Sequence, residues 1–67
     1  MSIREAAVRV VLNAKGPMRI SEITAKVRRT ETIKSDTPEN TVSNALQKDS
    51  RVVRVDRGVY DAATRVR

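Results

Sequence analysis

The 67-residue chain carries fourteen Lys and Arg against eight Asp and Glu, a net charge of +6. It has neither cysteine nor histidine, which excludes disulfides, thiolate metal sites, zinc fingers and the usual general base near neutral pH. So short a chain makes one domain with a small core, burying about 60% of its unfolded surface, and its charge favours nucleic acid or an anionic membrane surface as partner.

No apolar run approaches the ~20 residues needed to span a bilayer. The opening MSIREAAVRV interrupts its apolar stretch with charges, unlike a signal peptide. These features lead us to expect a cytoplasmic, nucleoid-associated protein, or a nuclear one in a eukaryotic setting, with no membrane partner and no cofactor.

In chain order, the spacing predicts a first helix from Ile3 to about Ala14, with Ser2 and Glu5 at capping-box distance and Gly16-Pro17 as the stop. Ser2, Glu5, Arg9 and Asn13 form a narrow polar strip. Ala7 and Val11 lie opposite it, flanked by Ile3, Val10, Val8 and Leu12, so most of this helix should be packed. Arg4 falls inside the apolar arc and should reach out to water. Met18 to Ile20 is a bridge or brief strand. Ser21 is placed to cap a second helix reaching Arg28 or Arg29, with Ile20, Ile23 and Val27 at helical spacing. Residues 30–36 lack a period and read as a loop that Ile33 could pin to the core.

A third helix is predicted from Pro38 to about Lys48 or Asp49, with Thr37 as its cap, Pro38 at the first helical position and Glu39 complementing the dipole. Val42, Ala45 and Leu46 make its apolar stripe. Almost opposite stand Asn40, Ser43, Asn44 and Gln47, where an ordinary solvated face would carry Glu and Lys. The period then falls to two. In RVVRVDRGVYDA, residues 51–62, valines alternate with charges about Asp56-Arg57-Gly58, which predicts a hairpin. Either Val52 or Val53 faces inward, since a slip of one residue inverts the faces. Tyr60, the lone aromatic residue, should close the core from the second strand. Residues 1–63 make the domain and residues 64–67 a frayed basic tail or linker.

Three helices followed by a hairpin describe a mainly α fold with a small β element, the winged helix-turn-helix, whose third helix enters a DNA major groove. Asn and Gln can bond bidentately to the N6 and N7 edge of adenine. The candidate base contacts are therefore Asn40, Ser43, Asn44 and Gln47, and the plain alternative is a solvated helix face. Candidate contacts to the DNA backbone are Arg28, Arg29, Lys34, Ser35, Thr37, Thr41, Lys48 and Arg51, with Arg54 and Arg57 on the wing. Arg54 should point away from the core if its valine neighbours point in. Structural roles compete for several of these: Arg28 and Arg29 complement a helix dipole, Thr37 caps a helix, and a wing arginine guards an edge strand. Only two glycines exist and the acids are scattered, so no phosphate loop or acid–base pair suggests an enzyme.

At GPMRISEI (16–23), DTPENTVSNAL (36–46) and VVRVDRGVY (52–60), the chain resembles the HARE-HTH family. The family's features fall on Ala7, Val11-Leu12, Gly16-Pro17-Met18, Glu22-Ile23, Thr37-Pro38, Thr41, Arg57-Gly58 and Tyr60, across nearly the whole chain. Val52 and Ala62 depart from it, where the family tends to carry an aromatic and a larger apolar residue, and a thinner core follows. The resemblance implies double-stranded DNA binding by a regulatory or targeting module, often attached to an effector. A module that docks to a larger protein is the alternative.

Overall fold

The computed structural model describes residues 2–31 and 36–66. Ser2 opens α1 (Ile3–Asn13) by accepting a hydrogen bond from the Glu5 N–H at 3.1 Å. Only that half of the capping box forms, because the Glu5 carboxylate is turned instead toward Arg51. Ala7, Val8 and Val11 are buried, as the wheel predicts, and so is Ala6, but Leu12 is 40% exposed. Leu12 lies one residue, or about 100°, on from Val11 and so passes beyond the covered side of the helix.

A two-residue strand, β1 (Met18–Arg19), leads directly into α2 (Ile20–Val27). Ser21 is not the cap of this helix. Arg19 occupies that position without a side-chain hydrogen bond, and the first helical amide, that of Ile20, donates to the Gly58 carbonyl at 2.8 Å. The strand brings this about: Met18 pairs with Tyr60 and Arg19 with Val59, which carries the start of α2 onto the hairpin turn. One orphan donor of the helix is thereby satisfied from a distant part of the chain.

The third helix, α3 (Pro38–Gln47), has Pro38 in its first turn, where the missing N–H is no loss. Thr37 makes no side-chain cap bond; its carbonyl accepts from the Thr41 amide and hydroxyl at 3.1 and 3.4 Å. Val42 and Leu46 are buried and Ala45 partly so. The three helices pack on one another and share a core with Met18, Ile23, Val27, Val52 and Tyr60.

Strands β2 (Val52–Asp56) and β3 (Val59–Ala62) form the wing of a three-stranded antiparallel sheet in the order β1-β3-β2. Val52 is the inward valine, while Val53 is half-buried and Val55 exposed. The register Val52↔Ala62, Val53↔Asp61, Arg54↔Tyr60 shifts by one between Arg54 and Asp56, a bulge that strengthens the local twist. Arg54 therefore shares the inner face with Val52 and Tyr60 and does not point away from the core. It stays exposed because the core ends there. Together these elements are a winged helix-turn-helix.

Gly58 turns the hairpin with φ 68. A Cβ there would meet Ile20 Cγ2 at 3.7 Å, an ordinary contact, so only the backbone conformation demands glycine. Gly58→Ala should lower stability by about 1–2 kcal/mol. Urea titration should show an earlier midpoint with an unchanged slope, whereas an unchanged midpoint would mean the turn has relaxed.

Residues 64–66, which the sequence places in a frayed tail or linker, are helical together with Ala63, and Arg67 lies outside the described residues. Residues 63–66 form the short helix α4 (Ala63–Val66), in which the Ala63 amide donates to the Arg51 carbonyl at 2.9 Å. Arg65 donates through Nε to Asp61 Oδ1 at 2.7 Å, through Nη2 to the Val11 carbonyl at 2.7 Å and through Nη1 to the Ala14 carbonyl. It thus serves the C-terminal carbonyls of α1, which a helix cannot satisfy internally. Asp61 is buried and also accepts from the Ala62 amide. The Arg65 guanidinium, followed by that amide, holds its carboxyl below the usual carboxylate range.

Candidate nucleic-acid interface

The apolar stripe of α3 fixes how the helix presents its other side. With Val42 and Leu46 buried, Glu39, Asn40, Asn44, Gln47 and Lys48 are exposed, and Thr41 and Ser43 are half-buried. The side chains of Asn40 and Asn44 make no hydrogen bond to other described residues, so each side-chain amide keeps its donors and its acceptor for a ligand.

Ser43 and Gln47 are placed differently. Ser43 Oγ and the Tyr60 hydroxyl lie 2.5 Å apart, and Gln47 Nε2 donates to Ser43 Oγ at 3.2 Å and to the Tyr60 hydroxyl at 3.5 Å. The half-buried Ser43 hydroxyl is thus engaged within the fold. A cleft of about 470 Å³ opens beside this cluster, lined by Leu46, Gln47, Val52, Arg54 and Tyr60. The structure accordingly joins the last turn of α3 to the wing, with Gln47 on one wall and Arg54 on the other.

The basic residues divide into two groups. Lys48, Arg54 and Arg57 are exposed at the end of α3 and along the wing, with no ion pair to described residues. Arg57 sits at the hairpin turn, where its amide donates to Asp56 Oδ1 at 2.7 Å. Arg51, by contrast, is engaged in ion pairs. Its guanidinium bonds both oxygens of Asp49 at 2.9 and 2.7 Å and Glu5 Oε1 at 2.9 Å, and its own amide also donates to Asp49. Hydrogen bonds from Arg51 hold the Asp49 carboxyl well below its ordinary range, and the same bonds raise Arg51 above the usual guanidinium value. Arg4 approaches Asp49 at 4.0 Å, so an arginine of the α1 arc finds a carboxylate as well as water. Arg51 links α1 to the loop after α3 through three of its five guanidinium N–H groups, and the two on Nη1 have no partner among the described residues.

Arg28 and Arg29 lie exposed on the turn after α2 and do not line the cleft. The Thr41 hydroxyl is bonded to the Thr37 carbonyl. Lys34 and Ser35, like Ile33, lie outside the described residues.

Sequence reasoning gave Tyr60 only a role in the core, yet its hydroxyl is the meeting point of the α3 face and the wing. One signal was available: a lone aromatic residue with a polar end, on a strand beside the helix, needs a partner for its hydroxyl. Among the described residues no helix is long and apolar enough to cross a membrane. Residues 1–63 match the family model for the HARE-HTH domain, a helix-turn-helix domain whose description names ASXL and restriction endonuclease proteins. No curated protein and no solved structure matches the chain.

Proposed function

Because the chain belongs to the HARE-HTH family of winged-helix domains, helix-turn-helix modules to which DNA binding is ascribed, we propose that it binds double-stranded DNA. In this reading α3 enters the major groove and the wing lies on adjacent backbone. Asn40, Asn44 and Gln47 face base edges, while Lys48, Arg54 and Arg57 meet phosphates. Ser43 supports the reading face instead of touching bases, and Arg51 holds the scaffold together. The module would serve a regulatory or targeting role where DNA is found, in the nucleoid or the nucleus.

The observation that carries this reading is the α3 face itself. Its amides are exposed along one side of a helix anchored on the other, and an arginine stands across the cleft. A solvated face has no need of this chemistry, whereas a groove-reading helix does. Glu39 sits in the first turn of α3, where the helix dipole favours a carboxylate.

Titrating labelled duplex at a series of salt concentrations tests the proposal. Three phosphate contacts should give a log–log slope of about −3, since each contributes about −0.9. Arg57→Ala should weaken binding to all sequences alike and flatten the slope by about one, while Asn44→Ala should relax sequence preference at one position. No binding at low salt, or binding indifferent to salt, would sink the reading.

Docking to a larger protein is the second reading, and one feature favours it. A groove of about 390 Å³ between α1 and α2, lined by Ala6, Arg9, Val10, Lys26 and neighbours, is mostly apolar and includes no α3 residue. A partner seated there would leave the α3 face open.

A further inference from the structure

The strand that leads into α2 also reaches the wing. In β1, Met18 is buried and Arg19 exposed, since successive strand residues point to opposite faces. Arg19 stands opposite Val59 in the register, and the next amide, that of Ile20, donates to the Gly58 carbonyl at 2.8 Å. Gly58 turns the hairpin directly after Arg57. Two arginines distant in sequence thus flank one turn, Arg57 on it and Arg19 on the neighbouring strand.

The fold makes no use of either guanidinium. Both residues are exposed, and neither side chain makes a hydrogen bond or an ion pair to described residues. The acids nearest to them are placed otherwise. Asp56 accepts from the Arg57 amide, and Val59 separates it from Arg19 across the sheet. Glu22, in the first turn of α2, makes no ion pair with Arg19. An arginine can guard an edge strand against pairing, but a strand of two residues is already too short to need a guard. An unpaired guanidinium offers five N–H donors and a fixed charge, which suit phosphate oxygens.

Resting on the DNA-binding reading above, we propose that Arg19 is a further phosphate contact, and that Arg19 and Arg57 hold the DNA backbone from the two sides of the wing turn. The bond from Ile20 to Gly58 and the pairing of Arg19 with Val59 set both backbone positions before DNA arrives. Binding then orders only the two side chains, which lowers its entropic cost. The interface accordingly runs from the end of α3 along the wing to the start of α2. It gains one phosphate contact beyond those of Lys48, Arg54 and Arg57.

The test measures the salt dependence of duplex binding for the wild type, Arg19→Ala, Arg19→Lys, Arg19→Ala/Arg57→Ala and, as a control on α1, Arg9→Ala. Arg19→Ala should weaken binding to all duplexes by roughly fivefold at low salt and flatten the log–log slope by about one. The double variant should flatten it by about two. Arg19→Lys keeps the charge and should keep the slope, and Arg9→Ala, which removes the same charge elsewhere, should keep it too. On duplexes with single phosphates made neutral as methylphosphonates, one position should weaken the wild type and leave Arg19→Ala unaffected. Arg19→Gln, which removes the charge and retains much of the stem, should flatten the slope equally and decides the matter if the alanine variant does not fold. A slope and affinity for Arg19→Ala equal to those of the wild type, or an equal flattening in Arg9→Ala, would overturn this contact and leave DNA binding intact. Failure of the wild type to bind any duplex at low salt would overturn both.

Discussion

Replacing Leu46 with alanine is expected to cost about 2–5 kcal/mol and to leave a large fraction of the protein unfolded at 37 °C. The residue is only 1% exposed, and with Val42 it is the buried anchor of α3. A core of this size rarely supplies more than about 3–5 kcal/mol in total, so one cavity is enough to exhaust it. Ten residues rich in Asn, Ser and Thr cannot hold a helix alone, since isolated helices below ~12–15 residues are marginal. The reading face therefore disappears with its anchor. Leu12→Ala, at the exposed shoulder of α1, is the matched control and should change little. Thermal unfolding followed by circular dichroism distinguishes them; a Leu46→Ala midpoint within a few degrees of wild type would refute the assignment of this core.

The second large effect concerns Arg65. Its loss removes a donor to the Val11 and Ala14 carbonyls at the end of α1 and leaves the Asp61 carboxylate buried without its partner, so Arg65→Ala should destabilise the protein more than removal of an exposed arginine such as Arg57. The pairing also sets a dependence on pH. Asp61 and Asp49 have folded-state values below their unfolded ones. Their contribution is thus complete above the ordinary carboxylate value of about 3.9 and is lost progressively as the pH falls below it. Wild-type stability should decline on acidification through that window. In Arg65→Ala the Asp61 share is already absent, so the decline should be shallower. Denaturant midpoints from pH 6 down to pH 2 check this, and parallel curves for the two proteins would show that the pair contributes nothing.

What the sequence made legible was mostly local. The apolar periods of α1, α2 and α3, the change to alternation at Val52 and the turn at Gly58 are written within a few residues of where they act, and the structure has them there. Long-range partners were not legible. Ser21 reads as a cap until Gly58 supplies a carbonyl to Ile20. Arg51 looks wholly open to phosphate until Glu5, from the other end of the chain, takes one of its donors. Ser43 and Gln47 look like equal members of a polar face until Tyr60 arrives behind them. The tail reads as frayed or as a linker because its distant partners are not written in it; Arg65 reaches Val11 and Ala14 as well as the nearby Asp61. Composition of the α3 face was readable, while the division of its side chains between display and support depended on the fold.

The bond from Ile20 to the Gly58 carbonyl leads to an expectation for folding kinetics. At eight residues, α2 is too short to persist alone, and its opening amide finds a partner only when the hairpin turn lies beside it. Closing the chain between those points costs entropy before any contact repays it. The rate-limiting step of folding should accordingly join the early and late thirds of the polypeptide, so that mutations at the turn slow folding as well as hasten unfolding. In such a domain the wing acts as the latch that completes the helical scaffold, and is more than an appendage to it.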